Sequence, residues 1–445
     1  MATSIDQLRS AYDVVIVGGR VAGAATALLL ARAGVSVALI ERGWRGADTL
    51  STLALMRCGV LQLSRWGLVD ALIAAGTPPI TTTSFHYDGE PVEIPIKARD
   101  GVNALLAPRR TVIDPLLADS AQSAGADVAY GVRVRELLRN GDGRVAGVVC
   151  ERGGRTHSIS SSLVIGADGV RSVVAARVGA NPYRVGVNAS GVIYTVVPGL
   201  ALAGYQWHYR TGASVGVIPT SNGDTVVFAA VPQQRFMEEL RRDLRGGFNA
   251  VLRDVSPALA DAIGSSTSTV VHGFAGQRGF LRPAAGPGWA LVGDAGYFKD
   301  PITAHGITDA LRDAEDLARA VLDGTDEALA AYQSVRDDLS LRLFDITDEI
   351  ASYAWDVARL RVLHRSLSQE MGREVSHVLA SACRRDLSRR ADSRDGAVDA
   401  SGAVHLTTTP ADYAGGHGRR RGANGDIPRP RGVIRGSLSL RRRVS

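Results

Sequence analysis

The stretch Tyr12 to Gly23 constrains this chain more than any other. Tyr12 to Val17 is a short run rich in β-branched residues, and Gly18-Gly19-Arg20-Val21-Ala22-Gly23 follows it without a break. An apolar run bounded by glycine reads as a buried parallel strand. Ala24 to Ala33 then reads as a helix of alanine and leucine, with Gly34 placed to stop it. Val35 to Ile40 supplies a second strand that ends in Glu41 and Arg42. Two parallel strands need a crossover, and a helix of this length is the usual one. The N-terminus therefore commits the chain to an α/β fold.

The same stretch carries chemistry. Gly18, Gly19 and Gly23 let the backbone turn tightly and approach a pyrophosphate, while the helix N-terminus presents free N–H groups to that anion. Glu41 stands about 20 residues on, where such sites place an acceptor for a ribose diol. Arg20 occupies the middle glycine position of the GxGxxG pattern, so its side chain must swing clear to add charge toward a phosphate. The loop predicts a dinucleotide and leaves its kind open.

At 445 residues the chain exceeds one ordinary domain, so two ordered units and a tail are expected. Leu50 to Ala75 has helical periodicity, and Pro78 to Ala98 alternates like strands of a second sheet. Ile113 to Ala124 returns to helix. Val128 to Val149 reads as strands joined at Asn140-Gly141-Asp142-Gly143, a strong hairpin signal. Leu163 to Gly166 and Ala290 to Val292 read as short buried strands, and Val192 to Pro232 is the longest β-like region. The pattern is helical from Asp326 to Arg385. Beyond Ala391 little remains to bury, which predicts disorder.

The net charge of +6 belongs to that tail. Residues 411–445 hold nine arginines against Asp412 and Asp426, which leaves the rest of the chain near −1. The tail lacks the interleaved aromatics that bind single-stranded nucleic acid, so no nucleic-acid partner is expected. Cys58, Cys150 and Cys383 lie far apart with no CxxC spacing. They predict neither a disulfide framework nor a metal site, and they fit a reducing cytoplasm. No apolar run approaches the roughly 18 residues needed to span a bilayer, and Met1 to Ala11 lacks the apolar core of a signal peptide. The expectation is a cytoplasmic monomer or homodimer that acts on a small molecule, away from membranes.

Two later segments narrow the dinucleotide. Val164-Ile165-Gly166-Ala167-Asp168-Gly169-Val170-Arg171-Ser172 is a strand followed by a turn with an acid and small residues. Leu291-Val292-Gly293-Asp294-Ala295 repeats that shape, followed by Pro301 and by His305-Gly306-Ile307 opening a helix. With the first glycine loop, these segments resemble the flavoprotein monooxygenases of the para-hydroxybenzoate hydroxylase type (group A aromatic hydroxylases), over roughly residues 10 to 345. Arg20, and the stretch Tyr297 to Thr303, are more similar to the broader branch that has an arginine in its first glycine loop.

The resemblance implies FAD as cofactor and NAD(P)H as a transient reductant. It implies a discontinuous Rossmann-like FAD-binding domain over 10–76, 101–180 and 273–325. An inserted β-sheet substrate domain would cover 77–100 and 181–272, with a C-terminal helical segment over 326–390 and an arginine-rich tail over 391–445. In such proteins the Gly293-Asp294 segment sets a carboxylate on the FAD ribitol. The helix opening at His305, Gly306 and Ile307 lies by the flavin's pyrimidine edge, where a positive helix end favours an anionic reduced ring. Asp168 belongs to a segment tied to both flavin and nicotinamide use, and Arg57 and Arg110 match positions near the FAD pyrophosphate. Tyr297 stands where many relatives have histidine. His305 stands where aromatic hydroxylases have a small residue, glutamine or lysine, which makes it the candidate acid–base group.

The activity implied is hydroxylation or epoxidation of a small aromatic or polyketide-like substrate with O2, by way of a flavin C4a-hydroperoxide. The alternative is a reductase of the geranylgeranyl reductase type, without oxygen insertion. Halogenation is disfavoured because Trp207 has no second tryptophan two residues away and Ile218-Pro219 lies too far on. Tyr194, Trp207, His208 and Phe228, with Phe85, His86 and Tyr87, are the candidates to line a substrate pocket.

Overall fold

The first strand, Ala11–Val17, is buried because both of its faces are covered. Val14 and Ile16 join a core with the helices Val21–Arg32, Arg110–Ser123 and Gly306–Asp323. Val15 and Val17 face the opposite way, into a core with Val148, Ile159 and Val174. A strand with two apolar faces belongs in the middle of a parallel sheet. It pairs in parallel with Val37–Glu41 on one side and Arg155–Gly166 on the other, and Arg155–Gly166 pairs in parallel with Trp289–Leu291. A computed structural model describes residues 8–49, 51–200, 202–264 and 270–395, with side chains through Ser381. The chain divides into two units, Met1–Leu387 and Ser388–Ser445, and both sheets belong to the first.

The expected hairpin joins Arg133–Arg139 to Val145–Arg152, with Asn140 N–H donating to the Arg144 carbonyl and Gly143 at φ 86°. A second sheet of seven strands takes Thr82–Tyr87 and Glu90–Pro95 from the early chain. Its other strands are Ser190–Pro198, Tyr205–Arg210, Ala213–Pro219, Asp224–Pro232 and Val271–Phe274.

Reading 181–272 as sheet alone overlooks two helices, Leu244–Val255 and Pro257–Ile263, which cover one face of that sheet. Their signals are local. Asp243 accepts from Gly246 N–H, and Ser256 accepts from Leu259 N–H with Pro257 in the first turn. These are ordinary N-caps, and the surrounding β pattern masks them.

The C-terminal helical expectation is realised as two helices, Asp326–Ala351 and Val357–Asp395, separated by a bend in which Tyr353 takes φ 54°. The last helix runs past the residue-391 boundary expected for disorder, and the remainder of that tail, 396–445, lies outside the described residues. Leu360, Leu363 and Leu367 pack on the aromatic face of the second sheet, while Val375 and Val378 enter the core of the first. One helix thus ties the two sheets together. Leu360→Ala removes a side chain that is 0% exposed at that junction, and urea unfolding should show a loss of about 2–5 kcal/mol.

Candidate active site

The parallel register sets the site. Val17 pairs with Ile40 and with Gly166, and Gly166 pairs with Leu291. The segments leaving these strand ends therefore stand in a row: Gly293-Asp294, then Ala167-Asp168, then Gly18-Gly19, then Glu41. Open α/β sheets bind ligands outside the carboxyl ends of their strands, where such a row is built.

Close approach explains the glycines. A Cβ at Gly18 would lie 2.3 Å from the Ala167 carbonyl oxygen, and one at Gly23 would lie 1.9 Å from that of Gly18. No side chain caps the helix that starts at Val21, so its first N–H groups are left for an anion. Glu41 is buried, and its two carboxylate oxygens accept from Gly19 N–H at 2.7 Å and Gly43 N–H at 2.6 Å. Each oxygen keeps a further lone pair for a ligand hydroxyl. Arg20 is extended at the N-cap and lines a cleft with Gly19, Glu41, Trp44, Asp114 and Tyr130. Arg42 is exposed beside it.

Arg110 forms a two-pronged pair with Asp114, both bonds 2.9 Å, and Asp114 lines that cleft. Gly293, at φ 61°, approaches the first helix so closely that a Cβ would lie 2.8 Å from that of Ala22. Asp294 follows, and burial pushes its carboxyl up to about 6 against the opposing charges of Arg110 and Lys299. Asp168 accepts from Val173 N–H at 2.6 Å through one oxygen, while its other oxygen is buried without a hydrogen-bond partner among the described residues. Burial raises this carboxyl too. Arg57 is not brought to the cleft: its guanidinium donates to the carbonyls of Lys97, Arg99 and Val102, clasping the segment that returns from the second sheet.

Pro301 opens a tight turn held by Asp300, whose carboxylate accepts from Ile302 N–H at 2.9 Å and from Ser190 N–H at 2.6 Å. Ala304 ends the turn at φ 49°, an unusual left-handed position for alanine. Ile302 and Ala304 join the core under the aromatic face of the second sheet. The helix Gly306–Asp323 begins there, with Gly306 exposed and Ile307 half-buried.

His305, the expected acid–base group, is 1% exposed, and its Nε2 lies 2.5 Å from Glu374 Oε2. A cluster surrounds it that sequence reading missed. Lys299 pairs with Asp309, Arg312 pairs with Glu374, and Arg312 also donates to Asp313 at 2.7 Å and to Ser340 at 2.9 Å. Burial drives Lys299 down to about 7. Burial alone would raise Glu374, but the facing His305 and Arg312 overcome it and hold that carboxyl below its ordinary value. Ligand-type atoms of His305, Asp309 and Glu374 lie within 4.8 Å of one another. Lys299 and Arg312 already serve as the cations for those carboxylates. The available signal was the run of charges at 309, 312, 313, 315 and 316 within one helix.

The expected pocket residues divide between two faces. Trp207 and Phe228 share the inner face at 6.2 Å between rings, and Tyr194 sits directly opposite Phe228 on the neighbouring strand. Trp207 Nε1 donates to Thr83 Oγ1 at 3.0 Å. His208 does not join them. It stacks on His86 at 4.0 Å on the outer face, because adjacent residues of a strand point to opposite sides. Phe85 and Tyr87 lie on the inner side, where the last helix presents His364. Its Nδ1 lies 2.7 Å from the Tyr87 hydroxyl, and its ring lies 4.7 Å from that of Tyr209.

Comparison with known proteins agrees with this geometry. A family model described as FAD binding domain matches residues 11–347. The chain is 26% identical over 369 residues to a menaquinone reductase of Mycolicibacterium smegmatis, covering 76% of this chain and 83% of that one. It is also 26% identical over 384 residues to the ubiquinone hydroxylase UbiL of Rhodospirillum rubrum, covering 79% and 84%. The crystal structure of p-nitrophenol 4-monooxygenase PnpA from Pseudomonas putida superposes with a TM-score of 0.66 at 18% identity, over 84% of this chain and 98% of that one. Among the described residues no helix is long and apolar enough to cross a membrane.

Burial pushes His364 down to about 4. The folded protein then refuses a proton that the unfolded chain accepts below its ordinary value of about 6.5, so stability should fall as pH drops from there toward 4. In His364→Phe that fall should be shallower, the difference reaching about 3 kcal/mol near pH 4 in urea titrations.

Proposed function

The chain belongs to the FAD binding domain family of flavoprotein oxidoreductases, and on that premise we propose that it is an NAD(P)H-dependent monooxygenase acting on a small aromatic or polyketide-like compound. The observation that carries this reading is the row of strand ends that brings Gly18, Asp168 and Asp294 to one edge of the parallel sheet. Residues at that edge fit the group chemically: an uncapped helix end for a pyrophosphate, Glu41 for a ribose, and the desolvated carboxylate of Asp294 for ribitol hydroxyls. Bound FAD accepts hydride and activates O2.

The protein's own part is to hold, orient and exclude water. Arg20 and Arg110 add positive charge along the cleft that would take the adenosine and phosphates. The N-terminus at Gly306 and Ile307 would favour negative charge on a flavin ring held beside it. Pro301 and Ala304 shape the turn between that edge and the second sheet. Tyr194, Trp207 and Phe228 supply the apolar roof that a flat organic substrate would lie against. Segments 10–76, 101–180 and 273–325 are assigned to the cofactor, and 77–100 and 181–272 to the substrate.

A second reading is reduction of a lipid-like double bond, favoured by the similarity to the menaquinone reductase. Turnover under 18O2 with a panel of phenolic, polyketide-like and isoprenoid compounds separates the two. The monooxygenase reading expects product carrying one 18O atom; a saturated product free of label would overturn it. Asp294→Ala should weaken FAD binding by about 10- to 100-fold, the worth of hydrogen bonds to a charged group. Flavin fluorescence during reconstitution measures this.

A further inference from the structure

We propose that Trp44 is the platform on which the adenine ring of the bound dinucleotide stacks. The inference rests on the flavin-binding reading above and names the residue that positions the far end of that cofactor.

Exposure singles this residue out. The chain has five tryptophans, and Trp66, Trp207, Trp289 and Trp355 are between 4% and 8% exposed. Trp44 is 70% exposed, so open space adjoins its ring. A lone apolar side chain is ordinary on a surface, but this one lines the cleft that holds Gly19, Arg20, Glu41 and Tyr130.

Strand order says what it faces there. Val17 pairs in parallel with Ile40, and Glu41 pairs in parallel with Tyr130. The row of strand ends therefore runs from Gly18 past Glu41 to Tyr130. In a nucleotide the ribose stands between the phosphate and the base. With the phosphates at the helix that starts at Val21 and the ribose diol at Glu41, the base continues along that row toward Tyr130 and Trp44.

The backbone holds the indole in place. The Gly43 carbonyl accepts from Gly131 N–H and the Glu41 carbonyl from Val132 N–H, both at 3.0 Å. The Trp44 carbonyl accepts from Ala47 N–H at 3.1 Å, which closes a tight turn. Arg45, inside that turn, pairs with Asp119 on the helix Arg110–Ser123. A glycine adjoins the ring: a Cβ at residue 131 would lie 3.1 Å from Trp44 Cζ3 and 3.3 Å from Cη2. The indole is thus seated against Gly131 while most of its surface stays open, as a stacking platform requires.

Tryptophan emission of the full chain, freed of flavin, tests this. Acrylamide should quench one exposed component, assigned to Trp44 by its absence in Trp44→Phe, and saturating ADP should shield it. Trp44→Ala should bind FAD and ADP about tenfold more weakly, and Trp44→Phe should recover most of that loss. Affinity for FMN, which lacks the adenosine, should be unchanged in both variants. Emission that ADP leaves open to acrylamide in a chain that binds FAD, or equal FAD affinity in Trp44→Ala, would overturn the inference alone. An equal loss of FMN and FAD would overturn it too, since that marks a structural role for the indole. So would a Trp44 component that becomes shielded as protein concentration rises without nucleotide, which marks a contact between copies. Failure of the unmutated chain to bind FAD would overturn the flavin reading and this inference with it. If Trp44→Ala does not fold, shielding by ADP in the unmutated chain still decides.

Discussion

Everything at the site depends on one constraint, the parallel register of three neighbouring strands. With Val17 beside Gly166 and Gly166 beside Leu291, the chain leaves the sheet three times at the same level. The departing segments must then pass within van der Waals distance of one another. Gly18 against Ala167, Gly23 against Gly18 and Gly293 against Ala22 are the points where a Cβ does not fit. These glycines answer to strand packing first. The same crowding draws Asp168, Asp294 and the start of the first helix to one edge.

A second layer of control lies beneath the helix Gly306–Asp323. Lys299, Asp309, Arg312, Asp313 and Glu374 are all buried there, which is costly in desolvation and is only partly offset by their mutual attraction. Aliphatic residues of similar volume would stabilise the fold as well or better. What charged pairs add is direction: each side chain has one geometry that satisfies its partner. The cluster fixes how the helix end sits, and it recruits the last helix through Glu374. The same helix reaches the aromatic sheet through Leu360 and His364. The two sheets are thus coupled by one helix.

The strands, the glycine loop and the acid at residue 41 were legible because they follow from local rules: period, turn chemistry and spacing. The pocket residues were only half legible. Trp207 and His208 are neighbours in the sequence and both suit a binding site, yet the pleat sends them to opposite faces. Alternation says that they part, but not which face each takes; the helix Leu244–Val255 covers one face of the sheet and the last helix packs on the other, with Trp207. Arg57 shows the same limit. Its type and position suit an anion, whereas its guanidinium is committed to three backbone carbonyls.

By itself the sequence determined that the chain would build a parallel α/β sheet with a dinucleotide loop at its edge, since glycine spacing and apolar runs act within a few residues of where they are written. The tertiary structure alone decided where His305 sits. Its partner Glu374 is 69 residues away, and no local pattern relates the two. Only the packing of the last helix across both cores brings that carboxylate to the ring of the expected acid–base group.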